Sequence, residues 1–107
     1  MARVSIIPKK EENLYGLLIK KELELRRKKQ GTLHRYAAKE SGRTKWQHRS
    51  YPGWITFEKC LGGIIGAQIQ ARNPNDQWQL LSAFLGFLDR HFRKHIANIS
   101  IVFDEEK

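Results

Sequence analysis

The spacing of apolar residues changes period along this chain, and each change predicts an element. Over residues 10–29, Leu14, Leu17, Leu18 and Leu25 share one helical face, with Lys21 interrupting the stripe. Glu11 and Glu12 stand near the start of this helix and Arg26–Lys29 at its end, the order the helix dipole favours. Glu22 with Arg26, and Glu24 with Lys28, are acid-then-base pairs four apart. Gly31 then reads as the helix stop, because glycine accepts a left-handed backbone without steric cost.

From Thr32 to Arg72 the period falls to two, which predicts strands. Thr32–Lys39 and Thr44–Tyr51 flank Glu40-Ser41-Gly42-Arg43, a hairpin turn. In the second strand Thr44, Trp46, His48 and Ser50 point one way, and Lys45, Gln47, Arg49 and Tyr51 the other. Pro52-Gly53 breaks the chain before Trp54–Leu61, where Ile55, Phe57 and Leu61 share a face. Gly62-Gly63 is a further turn signal. Ile64–Arg72 then places Ile65, Ala67, Ile69 and Ala71 inward, as in a half-buried antiparallel sheet.

Asn73 offers a side-chain cap for a second helix, along which Trp78, Leu81, Leu85, Leu88, Phe92 and Ile96 follow helical spacing. Leu80, Phe84 and Phe87 form a second stripe. Either this helix is buried on two sides, or the second stripe makes a homodimer contact. Ala97–Phe103 is a last strand with Ile99, Ile101 and Phe103 inward, and the strand–helix–strand crossover can return it parallel to an earlier one. The expected fold is α+β: an N-terminal helix, a three- to four-stranded antiparallel sheet, a long amphipathic helix packed on it and a C-terminal strand. One domain over residues 1–107 suits the length, with 1–9 and 104–107 as flexible ends. The expected core is Ile55, Phe57, Ile65, Ala67, Ile69, Trp78, Leu81, Leu85, Leu88, Phe92, Ile99, Ile101 and Phe103.

Charge changes the picture by pointing to a partner. Residues 1–50 hold 14 Lys/Arg against 5 Asp/Glu, whereas residues 51–107 hold 6 of each, so the net +9 lies wholly in the first half. Clustered cations attract polyanions and raise encounter rates. Between Arg26 and Arg49 the only acid is Glu40, and Tyr36 and Trp46 lie among the cations, with Tyr51 and Trp54 directly after. Aromatic rings beside cations can stack on exposed bases. The expectation is non-enzymatic nucleic-acid binding, single-stranded DNA or RNA favoured. Arg35, Lys45 and Arg49 would contact phosphates, with Arg26, Arg27, Lys28 and Lys29 in support and Tyr36, Trp46, Tyr51 and Trp54 as stackers. At least one of those rings should belong to the core. The alternative is an interaction module for an acidic protein, in the manner of a small phage or plasmid regulator, since such a partner rewards the same potential.

Other chemistries find less support. No apolar run approaches the roughly 20 residues needed to span a bilayer. The lone Cys60 can form no internal disulfide, which fits a reducing, cytoplasmic setting. Cys60 itself reads as a buried strand residue rather than a nucleophile. His91 and His95 share a helical face, but no C-x-x-C or H-E-x-x-H accompanies them, and their place in the last turns is explained by the dipole. Neither a metal nor a cofactor is expected. No nucleotide-loop glycine motif occurs, and Gly62-Gly63-x-x-Gly66 reads as a bulge or turn. A metal-free ribonuclease would need His34 and His48 to converge. A hairpin centred on Ser41-Gly42 instead sets His34 opposite Arg49 and His48 opposite Arg35, which sends the imidazoles to opposite faces. Helix, three or four strands, then helix is similar in order to double-stranded-RNA-binding domains and to HicA-type toxin ribonucleases. The former carry lysines where this chain has Asn73-Pro74-Asn75-Asp76, and element order does not fix function.

Overall fold

The computed structural model describes residues 1–10, 12–40 and 43–104, with residues 36–40 and 43 described through their backbone. The chain runs β1 (Ala2–Pro8), α1 (Leu14–Arg27), β2 (Leu33–Glu40), β3 (Arg43–His48), β4 (Trp54–Lys59), β5 (Ile65–Gln70), α2 (Pro74–Phe92) and β6 (Ile96–Phe103). All six strands form one antiparallel sheet in the order β2-β3-β4-β5-β1-β6. The expected three or four strands are therefore corrected to six.

The correction comes mainly from β1. Residues 1–9, expected as a loose end, alternate strictly: Ala2, Val4, Ile6 and Pro8 are buried, and Arg3, Ser5 and Ile7 are exposed. That alternation is what a strand with one covered face requires. β1 lies between β5 and β6 and is antiparallel to both. The crossover through α2 thus brings β6 back parallel to β5, as the sequence predicts, but with β1 inserted between them. The expected turn residues Ser41 and Gly42, Glu11 at the helix start and the acidic residues 105–106 lie outside the described residues.

One core unites both helices with one face of the sheet. It contains Ala2, Val4 and Ile6 of β1, Leu14 and Leu18 of α1, Trp46 of β3, Ile55 and Phe57 of β4, and Ile65, Ala67 and Ile69 of β5. From α2 come Leu80, Leu81, Phe84, Phe87, Leu88 and Phe92. The second stripe of α2 is therefore core, and no dimer surface remains at Leu80, Phe84 and Phe87. Trp78, expected inside, is 57% exposed, and Leu85, Ile99 and Ile101 are only partly covered. Phe103 is 53% exposed and packs at the rim, its ring 6.5 Å from that of Trp78. Leu61 leaves the strand it was assigned to and is exposed in a turn over Leu61–Gly63. Cys60 is exposed as well.

Local chemistry explains the helix ends. The Asn13 side chain accepts from Gly16 N at the start of α1, and Asn73 accepts from Asp76 N at 2.8 Å at the start of α2. α1 closes before the expected stop. Gln30 N donates to Leu25 O and Lys29 N to Arg26 O, a paired C-terminal closure with Lys29 in the left-handed region at φ 55, and Gly31 at φ 84 then turns the chain towards β2. At the β3–β4 turn, Gly53 has φ 109, and a Cβ there would collide with the Gln70 carbonyl oxygen. This close approach locks the turn against the end of β5.

Candidate nucleic-acid interface and the cleft behind it

With both helices on one side, none of the described elements covers the other face of the sheet. The strand registers put Lys45 and Gln47 of β3, Trp54, Thr56 and Glu58 of β4, and Gln68 and Gln70 of β5 on this open face. Arg3 and Ser5 of β1 and Ser100 and Val102 of β6 continue it. Trp54 is 39% exposed, and the Lys45 ammonium sits 4.7 Å from its ring centroid, within cation–π range. Gly66 bears no side chain, and a depression of about 320 Å³ opens there beside Ser5, Thr56 and Gln68. Arg3 at its border is paired with Asp104 at 2.8 Å.

The other residues expected to bind have varied surroundings. Trp46 is fully buried between Phe57 and Phe87, so no base can reach its ring. Its Nε1 is buried and, among the described residues, has no hydrogen-bond partner. Arg35 is half-buried and donates from Nε to Glu22 Oε1 at 3.0 Å. Arg26 Nε lies 3.3 Å from the same carboxylate, and Lys28 lies 3.5 Å from Glu24. Arg27, Lys29 and Arg49 are exposed. Tyr51 is half-buried, its ring stacked on His48 at 4.3 Å. The side chain of Tyr36 lies outside the described residues.

Two clusters escape a reading by sequence spacing. The first is centred on Glu22, whose side chain is fully buried where α1 meets β2. Arg35, Arg26 and His34 converge on it, with His34 Nδ1 at 3.2 Å and Nε2 at 3.2 Å from Gly31 O. A buried carboxylate surrounded this way is paired as desolvation requires. The Arg26 partner was legible four residues away, and the two from β2 were not.

The second is a cleft of about 640 Å³ between α2, the α1–β2 turn and the end of β3. Its α2 wall runs from Trp78 past Ser82, Ala83 and Gly86 to Arg90 and His91. A Cβ on Gly86 would meet nothing within 4 Å, so the wall is open at that point. His48 and Tyr51 line the opposite side. His48 Nδ1 accepts from Ser50 N at 2.9 Å and Tyr51 N at 3.2 Å, which fixes the proton of the neutral ring on Nε2. Burial lowers the His48 pKa below its ordinary value. His91 is lowered first by burial and then by the Lys21 and Arg90 cations, with Glu24 opposing.

The histidines do not assemble into one site. Register shifts along β2–β3 set His34 opposite Gln47 and His48 opposite Leu33, replacing the expected pairs with Arg49 and Arg35. The shift totals two residues, so the strand alternation still separates the two rings. His34 joins Glu22, and His48 joins the cleft. His95 Nδ1 bonds to Glu12 Oε1 at 3.0 Å, while His91 packs edge-on against Phe87. Among the described residues no group of three or more His, Cys, Asp or Glu is placed to hold a metal. No described helix is long and apolar enough to cross a membrane.

Comparison with protein families, with curated proteins and with solved structures finds no match for this chain.

Proposed function

We propose that this chain is a small, basic, non-enzymatic nucleic-acid-binding protein that takes single-stranded DNA or RNA on the uncovered face of its sheet. The observation that carries this reading is Trp54, half-open on that face with the Lys45 ammonium beside it. Unpaired bases have free π faces and stack on such rings, whereas a duplex hides them. Gln68, Gln70 and Thr56 supply neighbouring hydrogen-bonding groups for base edges. Exposed Arg27, Lys29 and Arg49, within a net charge of +9, draw the polyanion in. Binding of this kind needs no cofactor. The unpaired, exposed Cys60 thiol suits a reducing cytoplasm.

An acidic protein partner is the rival, and the same positive potential would serve it. Trp54 favours the nucleic acid, because every unpaired base offers its ring a π face, whereas the negative face of an indole does not attract the carboxylates of an acidic protein. A homodimer belongs to this reading through the free edge of β6, where Val102 and Phe103 are exposed.

Salt-titrated binding to single- and double-stranded DNA and RNA tests the proposal. Affinity for single strands is expected to fall steeply with salt, in proportion to the counterions released. Trp54→Ala is expected to weaken single-strand binding about tenfold or more, the effect of losing one stacked base. Absence of binding to every strand type at low salt would end this reading. A stoichiometric protein partner that survives nuclease treatment would put the acidic-partner reading in its place.

A further inference from the structure

The cleft lies on the helix side of the sheet, away from Trp54, and its chemistry is selective. Arg90, His91 and His48 line it, and among the described residues no Asp or Glu does. Glu24, the carboxylate nearest in effect to His91, is held by Lys21 at 3.6 Å and Lys28 at 3.5 Å. Among the described residues no hydrogen bond engages the Arg90 guanidinium. Trp78 and the stacked His48–Tyr51 pair supply aromatic surface, and Gln79 and Ser82 supply neutral hydrogen-bonding groups. From Trp78 to Arg90 the helix rises about 18 Å, enough for a planar ring at one end and an anion at the other. A cavity with aromatic walls, a cationic end and no carboxylate discriminates for aromatic anions and against cations.

We propose that this cleft binds a nucleoside monophosphate unit, either free or as the phosphorylated end of a strand, with the base on its aromatic wall and the phosphate at Arg90. The small residues Ser82, Ala83 and Gly86 leave the floor between these ends unobstructed. The fixed Nε2 proton of His48 makes that ring a hydrogen-bond donor. The site does not depend on strand binding by the open sheet face, and either can fail without the other.

The test is a titration of the intact protein with AMP and UMP, followed by NMR of the indole and imidazole side chains. The Trp78 Nε1–H resonance and the His48 and His91 ring resonances are expected to shift, while Trp54 stays in place. Adenosine and inorganic phosphate, each with half of the recognised groups, are expected to bind at least about tenfold more weakly. A short oligonucleotide with a 5′-phosphate, compared with its 5′-hydroxyl form, separates strand ends from free nucleotides. Arg90→Gln is expected to lose about tenfold in affinity, the loss of one charge-assisted contact. Gly86→Leu fills the floor and is expected to abolish binding. Leucine favours a helix over glycine, and the added Cβ meets no neighbour, so this variant keeps its fold. Lack of any shift at millimolar nucleotide, shifts confined to Trp54, or binding unaffected by Gly86→Leu would each overturn the proposal.

Discussion

At the scale of single residues, the informative side chains are those whose surroundings fix one chemical state. His48 accepts two backbone N–H groups on Nδ1 and stacks on Tyr51, and burial holds its pKa below the ordinary 6.5. His91 is depressed in the same direction, by burial and by two neighbouring cations. Such a histidine takes up a proton more readily in the unfolded chain than in the folded one. The stability it contributes is complete above the unfolded pKa and is lost as pH falls through that value towards the folded one. Denaturation midpoints are therefore expected to drop between about pH 7.5 and about pH 5.5. His48→Asn keeps an acceptor near the position of Nδ1, and with His91→Asn it is expected to flatten this part of the profile. A double variant that retains the wild-type slope would show that other groups set it. Glu24 and Asp89, lowered chiefly by Lys21 and by Arg93 respectively, act in a separate window. Their contribution is present above the ordinary carboxylate range and disappears only at more acid pH.

At the scale of elements, Glu22 ties α1 to the edge strand β2. Its neighbours in the helical stripe, Leu14 and Leu18, bury apolar surface, and Glu22 occupies the next buried position with Arg35, His34 and Arg26 around it. Removing the buried carboxylate takes the shared partner from three cations that keep some contact with solvent, so the cost falls below that of stranding a fully buried charge, at about 1–3 kcal/mol. Glu22→Ala is expected to lower unfolding stability by about that amount in urea, and a loss of less than about 1 kcal/mol would mean that the carboxylate is not a structural tie. Sequence spacing reveals Glu22 only as the i,i+4 partner of Arg26, because Arg35 and His34 reach it from another element. α2 shows the same limit in another form. Its apolar residues extend over more than one stripe, so period alone could not decide whether Trp78 or Leu80 faces the sheet. The sheet decides it, taking Leu80, Phe84 and Phe87 and leaving Trp78 outside. The strands β3, β4 and β5 were legible because a sheet covered on one face forces a strict alternation. β1 carries the same alternation, and its place at the chain start invited reading it as a loose end.

For the molecule as a whole, the open sheet face was partly legible, since Lys45 and Trp54 are close in sequence, while the cleft was not, because its walls come from three distant segments. The uncovered edge of the sheet has a consequence of its own. β2 and β6 are the edge strands, and β6 reads Ile-Ala-Asn-Ile-Ser-Ile-Val-Phe, with no charge and no proline. An uncharged edge offers unpaired backbone N–H and C=O groups to another strand, which natural sheets usually prevent with lysine, proline or a bulge. The irregularity in the β1–β6 ladder lies at Ile7/Pro8, leaving the pairing from Ala2↔Phe103 to Ile7↔Asn98 regular. Val102 and Phe103, both more than half exposed, add apolar surface on the two sides of this edge. A second copy meeting it about a twofold axis would pair β6 with β6 antiparallel and cover part of that surface in both subunits, since a twofold interface uses the same patch twice. Sedimentation equilibrium is expected to show a dimer at high protein concentration. The Val102→Lys/Phe103→Lys variant puts charges at two positions more than half exposed in the single chain, and it is expected to sediment as a monomer with unchanged circular dichroism. A wild-type protein that remains monomeric at high concentration would exclude association through β6, and single-strand binding by the monomer would then rest on one sheet face alone.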